Sequence, residues 1–146
     1  MAECLFCKIA KKEKKSFTVM EDKNHVAFLD IFPNTKGQTV VITKKHFGSY
    51  PFDMCEEDYI KLFSFARNVA KKLDRSLGAI RTFLVVEGME VDHVHIKLYP
   101  IYKIKSKVRR KTKFYESYQG FLTTLHGQKA DEKTLEELVM KIQNTR

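Results

Sequence analysis

Residues 91–100, Val-Asp-His-Val-His-Ile-Lys-Leu-Tyr-Pro, leave this chain few ways to fold. In an extended backbone successive side chains point to opposite faces, so Val94, Ile96 and Leu98 share one face while His93, His95, Lys97 and Tyr99 share the other. A helix would scatter both sets around its circumference. The pattern demands a strand whose apolar face is covered by a second layer. Its other face carries two imidazoles and an ammonium spaced about 6.6 Å apart, a row that can lie along a phosphate or a metal, or simply face solvent as a basic surface.

The rest of the chain offers such a layer. Residues 17–21 and 25–31 are rich in β-formers and are separated by Asp22-Lys23-Asn24, which predicts a hairpin. Pro33 to Gly37 breaks the pattern, and residues 38–43 (QTVVIT) predict a third, buried strand. From Glu56 the period changes: Tyr59, Leu62, Phe63, Ala66, Val69, Ala70, Leu73 and Leu77 recur at helical spacing, with Gly78 as the stop. Asp53, with Glu56 three residues on, fits a capping box at the start. Strands over 82–87 and 91–99 follow, joined by a tight turn at Gly88. Leu135, Leu138, Val139 and Ile142 then mark a shorter helix capped by Asp131 or Thr134. The order β-β-β-α-β-β-α predicts an α+β fold: a mostly antiparallel sheet of about five strands, one long helix and a shorter C-terminal helix.

With 146 residues, no Ser/Gly/Pro-rich linker and no repeat, the chain reads as one domain over 1–146. Within it, 1–102 bears the motifs and 103–146 holds a basic segment and the last helix. Hydrophobic residues at 43% and charged residues at 31% exclude disorder as the main state. The net charge of +9 points to an anionic partner, and charge alone does not choose among nucleic acid, a phosphorylated small molecule and a membrane surface. No apolar run approaches the roughly 18 residues of a membrane helix. Lysines also interrupt the region where a signal peptide would need its apolar core, so a cytoplasmic location without a membrane partner is expected. Seven of the cations lie in 103–113, which has no acidic residue, and Lys103, Lys105, Lys107, Arg109, Lys111 and Lys113 take every odd position. In an extended segment they would face one way, as a phosphate-contacting surface for nucleic acid or as an edge kept basic against edge-to-edge pairing.

Cys4-Leu5-Phe6-Cys7 is a second constellation. A CxxC pair is a redox dithiol, half of a zinc site or an accident. Thioredoxin-type chemistry places the motif after a strand and at a helix start, and here no strand precedes it. Zinc needs two more ligands, and His46 and His93 are available for a Cys₂His₂ set. Cys55, beside the long helix, reads as structural, and a disulfide framework is not expected of a cytosolic chain. His25 in the hairpin and His126 in a Gly-flanked turn read as surface or packing residues.

Taken together, four segments resemble the histidine triad (HIT) superfamily. His93-Val94-His95-Ile96-Lys97-Leu98-Tyr99-Pro100 is similar to its His-x-His-x-His strand, and 26–33 (VAFLDIFP) to its Phe-x-Asp-Ile-x-Pro segment. Residues 37–46 (GQTVVITKKH) are similar to its Gly-His-x-Leu-Val-Ile-Pro-Lys-x-His segment, and Cys4-x-x-Cys7-Lys8-Ile9 to the opening of its zinc-containing members. The resemblance covers residues 4 to about 100. It departs from the family at Gln38, Thr43 and Met89, and at Lys97, which stands where the third histidine is usual.

The resemblance implies an antiparallel sheet with a long helix, commonly paired into a homodimer. It makes His95 the nucleophile that attacks the α-phosphorus of a nucleotide or dinucleotide substrate and forms a covalent nucleotidyl-histidine. His93, with Cys4, Cys7 and His46, becomes a ligand of a structural zinc ion. Asp30 would bind ribose hydroxyls and Phe28 and Ile31 would line the base pocket, with Gly88 and Lys97 completing the nucleotide-binding set. Lys97 would also share the catalytic work with His95. A lysine offers a permanent charge and three donors, but at its ordinary pKa it does not shuttle a proton near neutrality. The expected activity is therefore a hydrolase or nucleotidyl transferase acting on nucleoside phosphoramidates or dinucleoside polyphosphates. The alternative is a nucleotide- or nucleic-acid-binding protein with little or no catalysis.

Overall fold

The computed structural model describes residues 4–103 and 126–145. Along them run α1 (Leu5–Ala10), β1 (Thr18–Glu21), β2 (His25–Leu29), β3 (Thr39–Thr43), α2 (Glu56–Leu77), β4 (Arg81–Val85), β5 (His95–Ile101) and α3 (Glu132–Asn144). The strands form one antiparallel sheet in the order β1-β2-β3-β5-β4. This is the predicted α+β fold, with its five strands, its long helix and its shorter C-terminal helix. Beyond Lys103 the basic stripe lies outside the described residues. Among the described residues no helix is long and apolar enough to cross a membrane.

The sheet is covered on both faces, which is why β2 and β3 are buried at every position. On one face Leu62, Phe65, Ala66, Val69 and Leu73 of α2 and Leu135, Leu138 and Ile142 of α3 pack against Ala27, Leu29, Val41, Ile96 and Leu98. Each fully buried Leu or Phe there contributes about 1.5–3 kcal/mol. On the other face Phe6 and Ile9 of α1 cover Val26, Phe28, Val40 and Ile42. In register, Val40 lies opposite Lys97 and Ile42 opposite His95. The two polar side chains of β5 therefore emerge on the α1 face, while Ile96 and Leu98 join the larger core.

Local chemistry explains the departures from the sequence-based elements. The helix α1 was not expected: it has six residues and no side-chain cap, so it carries none of the usual start signals. The capping box at Asp53 is corrected, because Pro51 starts a short 3₁₀ turn over Pro51–Asp53 and Cys55 becomes the cap residue of α2, without a side-chain cap bond. Cys55 is exposed there, with its thiol 3.3 Å from Asp58 Oδ2. Gly78 ends α2 in the left-handed conformation, as expected, and of the two candidates at α3 it is Asp131 that caps, accepting from Thr134 N at 2.9 Å. The tight turn between the last two strands is also corrected, since β4 ends at Val85 and β5 begins at His95. His93 leaves the ladder because its N–H bonds Val91 O at 2.8 Å, and its ring, instead of its backbone, meets β3.

Candidate functional site

The end of β3 and the approach to β5 bring His46 and His93 against the first turn of α1, which carries Cys4 and Cys7. The four ligand-capable atoms lie within 4.8 Å of one another. His93 Nδ1 is 3.4 Å from Cys4 Sγ, 3.5 Å from Cys7 Sγ and 3.3 Å from His46 Nδ1, and Cys7 Sγ is 3.4 Å from His46 Nδ1. A tetrahedral zinc ion with ordinary bond lengths has S···N edges of about 3.6 Å and N···N edges of about 3.3 Å. The residues fit that ion. The remaining nitrogen of His93, Nε2, donates to Thr43 O at 2.9 Å, which fixes the tautomer and leaves the Nδ1 lone pair for a metal. Burial, followed by the neighbouring His46 and His95, pulls His93 below the usual imidazole range, keeping it in the neutral form a ligand needs.

Two residues on, the same device acts on His95. Its Nδ1 donates to His93 O at 2.8 Å, so the lone pair is on Nε2. The ring is buried, with the Phe6 ring edge-on at 5.2 Å between centroids. Burial first and the charge of Lys97 next hold His95 below its usual pKa. It is a neutral, oriented imidazole with one basic nitrogen.

That nitrogen belongs to a side chain lining a cavity of about 250 Å³. Phe28, Ile31 and Val40 give apolar walls, and Asp30, Lys97 and Glu90 give polar ones. Asp30 is held by two donors: Phe32 N to Oδ1 at 2.8 Å and Gln38 Nε2 to Oδ2 at 2.7 Å. Each oxygen keeps a second lone pair, so the carboxylate can still accept from a ligand hydroxyl. Gln38, one of the departures from the family pattern, thus has a visible task. A more open depression of about 460 Å³, lined by Lys12, Lys14 and Lys15, contains neither His95 nor Lys97.

Lys97 is paired. Its Nζ lies 3.0 Å from Glu87 Oε1, and the two side chains are only 10% and 13% exposed. Burial alone would pull Lys97 down, but the Glu87 hydrogen bond and charge outweigh it and hold the ammonium above its ordinary pKa. The third position of the row is therefore a fixed cation with a neutralising neighbour.

Of the candidate residues, Cys4, Cys7, His46 and His93 form one cluster, and Phe28, Asp30, Ile31, His95 and Lys97 line one cavity. Gly88 is not among the cavity-lining residues: its φ is +68° and a Cβ there would meet Ser49 O at 2.6 Å, so its place is in the irregular stretch between β4 and β5, close against Ser49. His25 packs in the structure, stacked on Phe65 and bonded to Asp22. His126 is a surface residue, as expected, packed edge-on against Phe32, and it also reaches the cavity wall and bonds Glu90. Neither Glu87 nor Glu90 carries a spacing signal, because both lie in the irregular stretch between β4 and β5.

A family model described as the HIT domain matches residues 11–104. The adenosine 5'-monophosphoramidase HNT1 of Saccharomyces cerevisiae is 39% identical over 101 residues, 68% of this chain and 63% of its own length. The crystal structure of a hypothetical histidine triad nucleotide-binding protein from Sulfolobus tokodaii superposes with a TM-score of 0.78 at 23% identity, covering 97% of this chain and 91% of its own. That of a zinc-bound histidine triad family protein from Mycobacterium smegmatis does so at 0.69 and 20% identity, covering 96% and 93%. At these identities the two structures speak for the fold. The domain match, over most of the described sheet and α2, speaks for descent: the chain belongs to the HIT family.

Proposed function

We propose that this protein is a nucleotide hydrolase or nucleotidyl transferase working through a covalent nucleotidyl-histidine at His95. The observation that carries the reading is the His95 Nδ1 bond to His93 O, which leaves Nε2 unprotonated on a ring that lines the cavity. Phe28 and Ile31 receive the base and Asp30 the ribose hydroxyls. The Nε2 lone pair attacks the α-phosphorus, the bond from phosphorus to the leaving group breaks, and its electron pair departs with that group, which takes a proton from solvent when it is an amine. Lys97 stabilises charge on the non-bridging oxygens. Water then attacks the phosphorus and gives up a proton to solvent, the P–N bond breaks with its electron pair returning to His95 Nε2, and a nucleoside monophosphate is released; a phosphate acceptor in place of water makes the same step a transfer. The yeast phosphoramidase supports nucleoside phosphoramidates as one substrate class, and dinucleoside polyphosphates, which offer the same α-phosphorus, are the other class we propose.

Zinc suits the Cys4, Cys7, His46 and His93 set and would act structurally, tying α1 to the sheet. The whole chain, 1–146, is read as one unit, because α3 shares the core of the sheet.

The Lys97–Glu87 pair has a consequence for the leaving group. An ammonium held charged by a carboxylate gives up a proton far less readily than an imidazolium near neutrality, so amines, which must be protonated to leave, should be slow. Lys97→His is expected to raise kcat on adenosine 5'-phosphoramidate by on the order of tenfold to a hundredfold. Steady-state rates on the two proteins check this, and a slower histidine variant would count against it.

We also read the protein as a homodimer. Of the two edge strands among the described residues, β1 is irregular in register between Thr18 and Met20, whereas β4 pairs continuously with β5 and exposes Phe83 and Leu84. A second copy is the natural cover for this regular apolar edge. Light scattering should give twice 17.1 kDa, and a monomer mass at micromolar concentration would oppose it.

A further inference from the structure

An anion pocket should not contain an unscreened carboxylate, yet Glu90 is part of the cavity wall. His95 and Lys97 line the same cavity. The other charge-bearing side chains of the wall are Asp30, Lys14, Lys15 and Lys97. Lys97 is taken by Glu87, and Lys15 by Glu132. Glu90 has instead His126, whose Nε2 lies 2.8 and 2.9 Å from its two carboxylate oxygens.

His126 comes from outside the span matched by the family, and the chain delivers it to a defined place. Gly127 N donates to Phe32 O at 3.1 Å and Ala130 N to Ile31 O at 2.8 Å, pinning residues 126–130 to the loop after β2. A Cβ on Gly127 would lie 1.9 Å from Pro33 O, so only glycine allows this approach. The imidazole then stands edge-on to Phe32, with ring centroids 5.8 Å apart. The side chains of the pair are 46% and 44% exposed, and a contact so open to solvent adds little to stability.

We propose that His126 is a specificity-determining residue of the nucleotide pocket that compensates the charge of Glu90, allowing a phosphate-bearing ligand to be preferred over the corresponding nucleoside. This rests on the reading of the cavity as a nucleotide site. It assigns to the segment after the family-matched span a direct part in substrate selection. The preference comes from relieving a repulsion: without the imidazole, Glu90 faces the incoming phosphate unscreened.

The test uses the full chain, with AMP and adenosine as probes and calorimetric Kd and Tm as readouts. His126→Ala should weaken AMP by on the order of fivefold to tenfold, leave adenosine within about twofold, and move Tm by no more than about 2 °C. Glu90→Gln should tighten AMP, and His126→Ala combined with Glu90→Gln should recover wild-type AMP affinity within about twofold. Rescue by removing the partner is an outcome that a purely structural role for His126 does not produce. The proposal is overturned if His126→Ala binds AMP as the wild type does, if AMP and adenosine weaken together, or if Glu90→Gln fails to rescue. A wild type that binds neither probe overturns the nucleotide site itself, and this proposal with it.

Discussion

Replacing His95 by alanine is expected to lower turnover of nucleoside phosphoramidates and dinucleoside polyphosphates by on the order of 10⁴-fold or more, equivalent to about 5.5 kcal/mol of barrier. The magnitude follows from losing the covalent route, because no other described side chain of β5 offers an oriented, unprotonated nitrogen. Lys97 is the nearest rival on β5, but Glu87 keeps its Nζ protonated and occupied at 3.0 Å. The loss is one of chemistry and not of folding. His95 buries its ring on the α1 face, outside the larger core built by α2 and α3, and its ring Nδ1 bonds His93 O. His95→Asn, which can retain a donor toward that carbonyl, should be equally inactive while keeping its Tm within about 3 °C of the wild type. Turnover above a hundredth of wild type in either variant, measured with the same substrate, would place the nucleophile elsewhere.

The second large effect is expected at the metal cluster. A six-residue helix is far too short to hold itself together in water, and α1 buries only Phe6 and Ile9. Cross-linking Cys4 and Cys7 to His46 and His93 would supply what its packing lacks. Without such an ion two thiols and two imidazoles would be crowded within 4.8 Å, one of them the fully buried His93. Cys4→Ser is therefore expected to abolish stoichiometric zinc and to cost about 2–5 kcal/mol, seen as a fall in Tm of about 5–15 °C. Activity should fall with it, since Phe6 bridges the helix to both His93 and His95, at ring separations of 5.9 and 5.2 Å. Elemental analysis and scanning calorimetry with and without chelator check this. A wild type purified without chelator that holds no zinc and melts at the same temperature in its presence would remove the ion from the account.

Much of this was legible in the sequence because it depends on periodicity. The alternation over 91–100 placed His95 and Lys97 on the face opposite Ile96 and Leu98, and the register with β3 bears that out. The helical spacing of Leu62, Ala66, Val69 and Leu73 marked α2, whose end at Gly78 is a left-handed residue that only a glycine adopts cheaply. What escaped has no period. The helix α1 is held by tertiary contacts and not by its own signals. The Glu87–Lys97 and Glu90–His126 pairs join an irregular loop to a strand ten residues on and to a segment 36 residues on. Such pairings are decided by where the loop between β4 and β5 turns, at Gly88 against Ser49, and no local pattern in the sequence encodes it. Gln38 is the intermediate case: its departure from the family pattern was visible, but its bond to Asp30 was not.

The measurement that bears most directly on the central claim is intact mass spectrometry of the protein quenched during turnover of a nucleoside phosphoramidate or dinucleoside polyphosphate, followed by peptide mapping. The account predicts one nucleotidyl group on the wild-type chain, acid-labile and mapped to His95, and none on His95→Ala. Continuing turnover with no adduct on a quench faster than the turnover time, or an adduct mapped to Lys97 or His126 in place of His95, would contradict it.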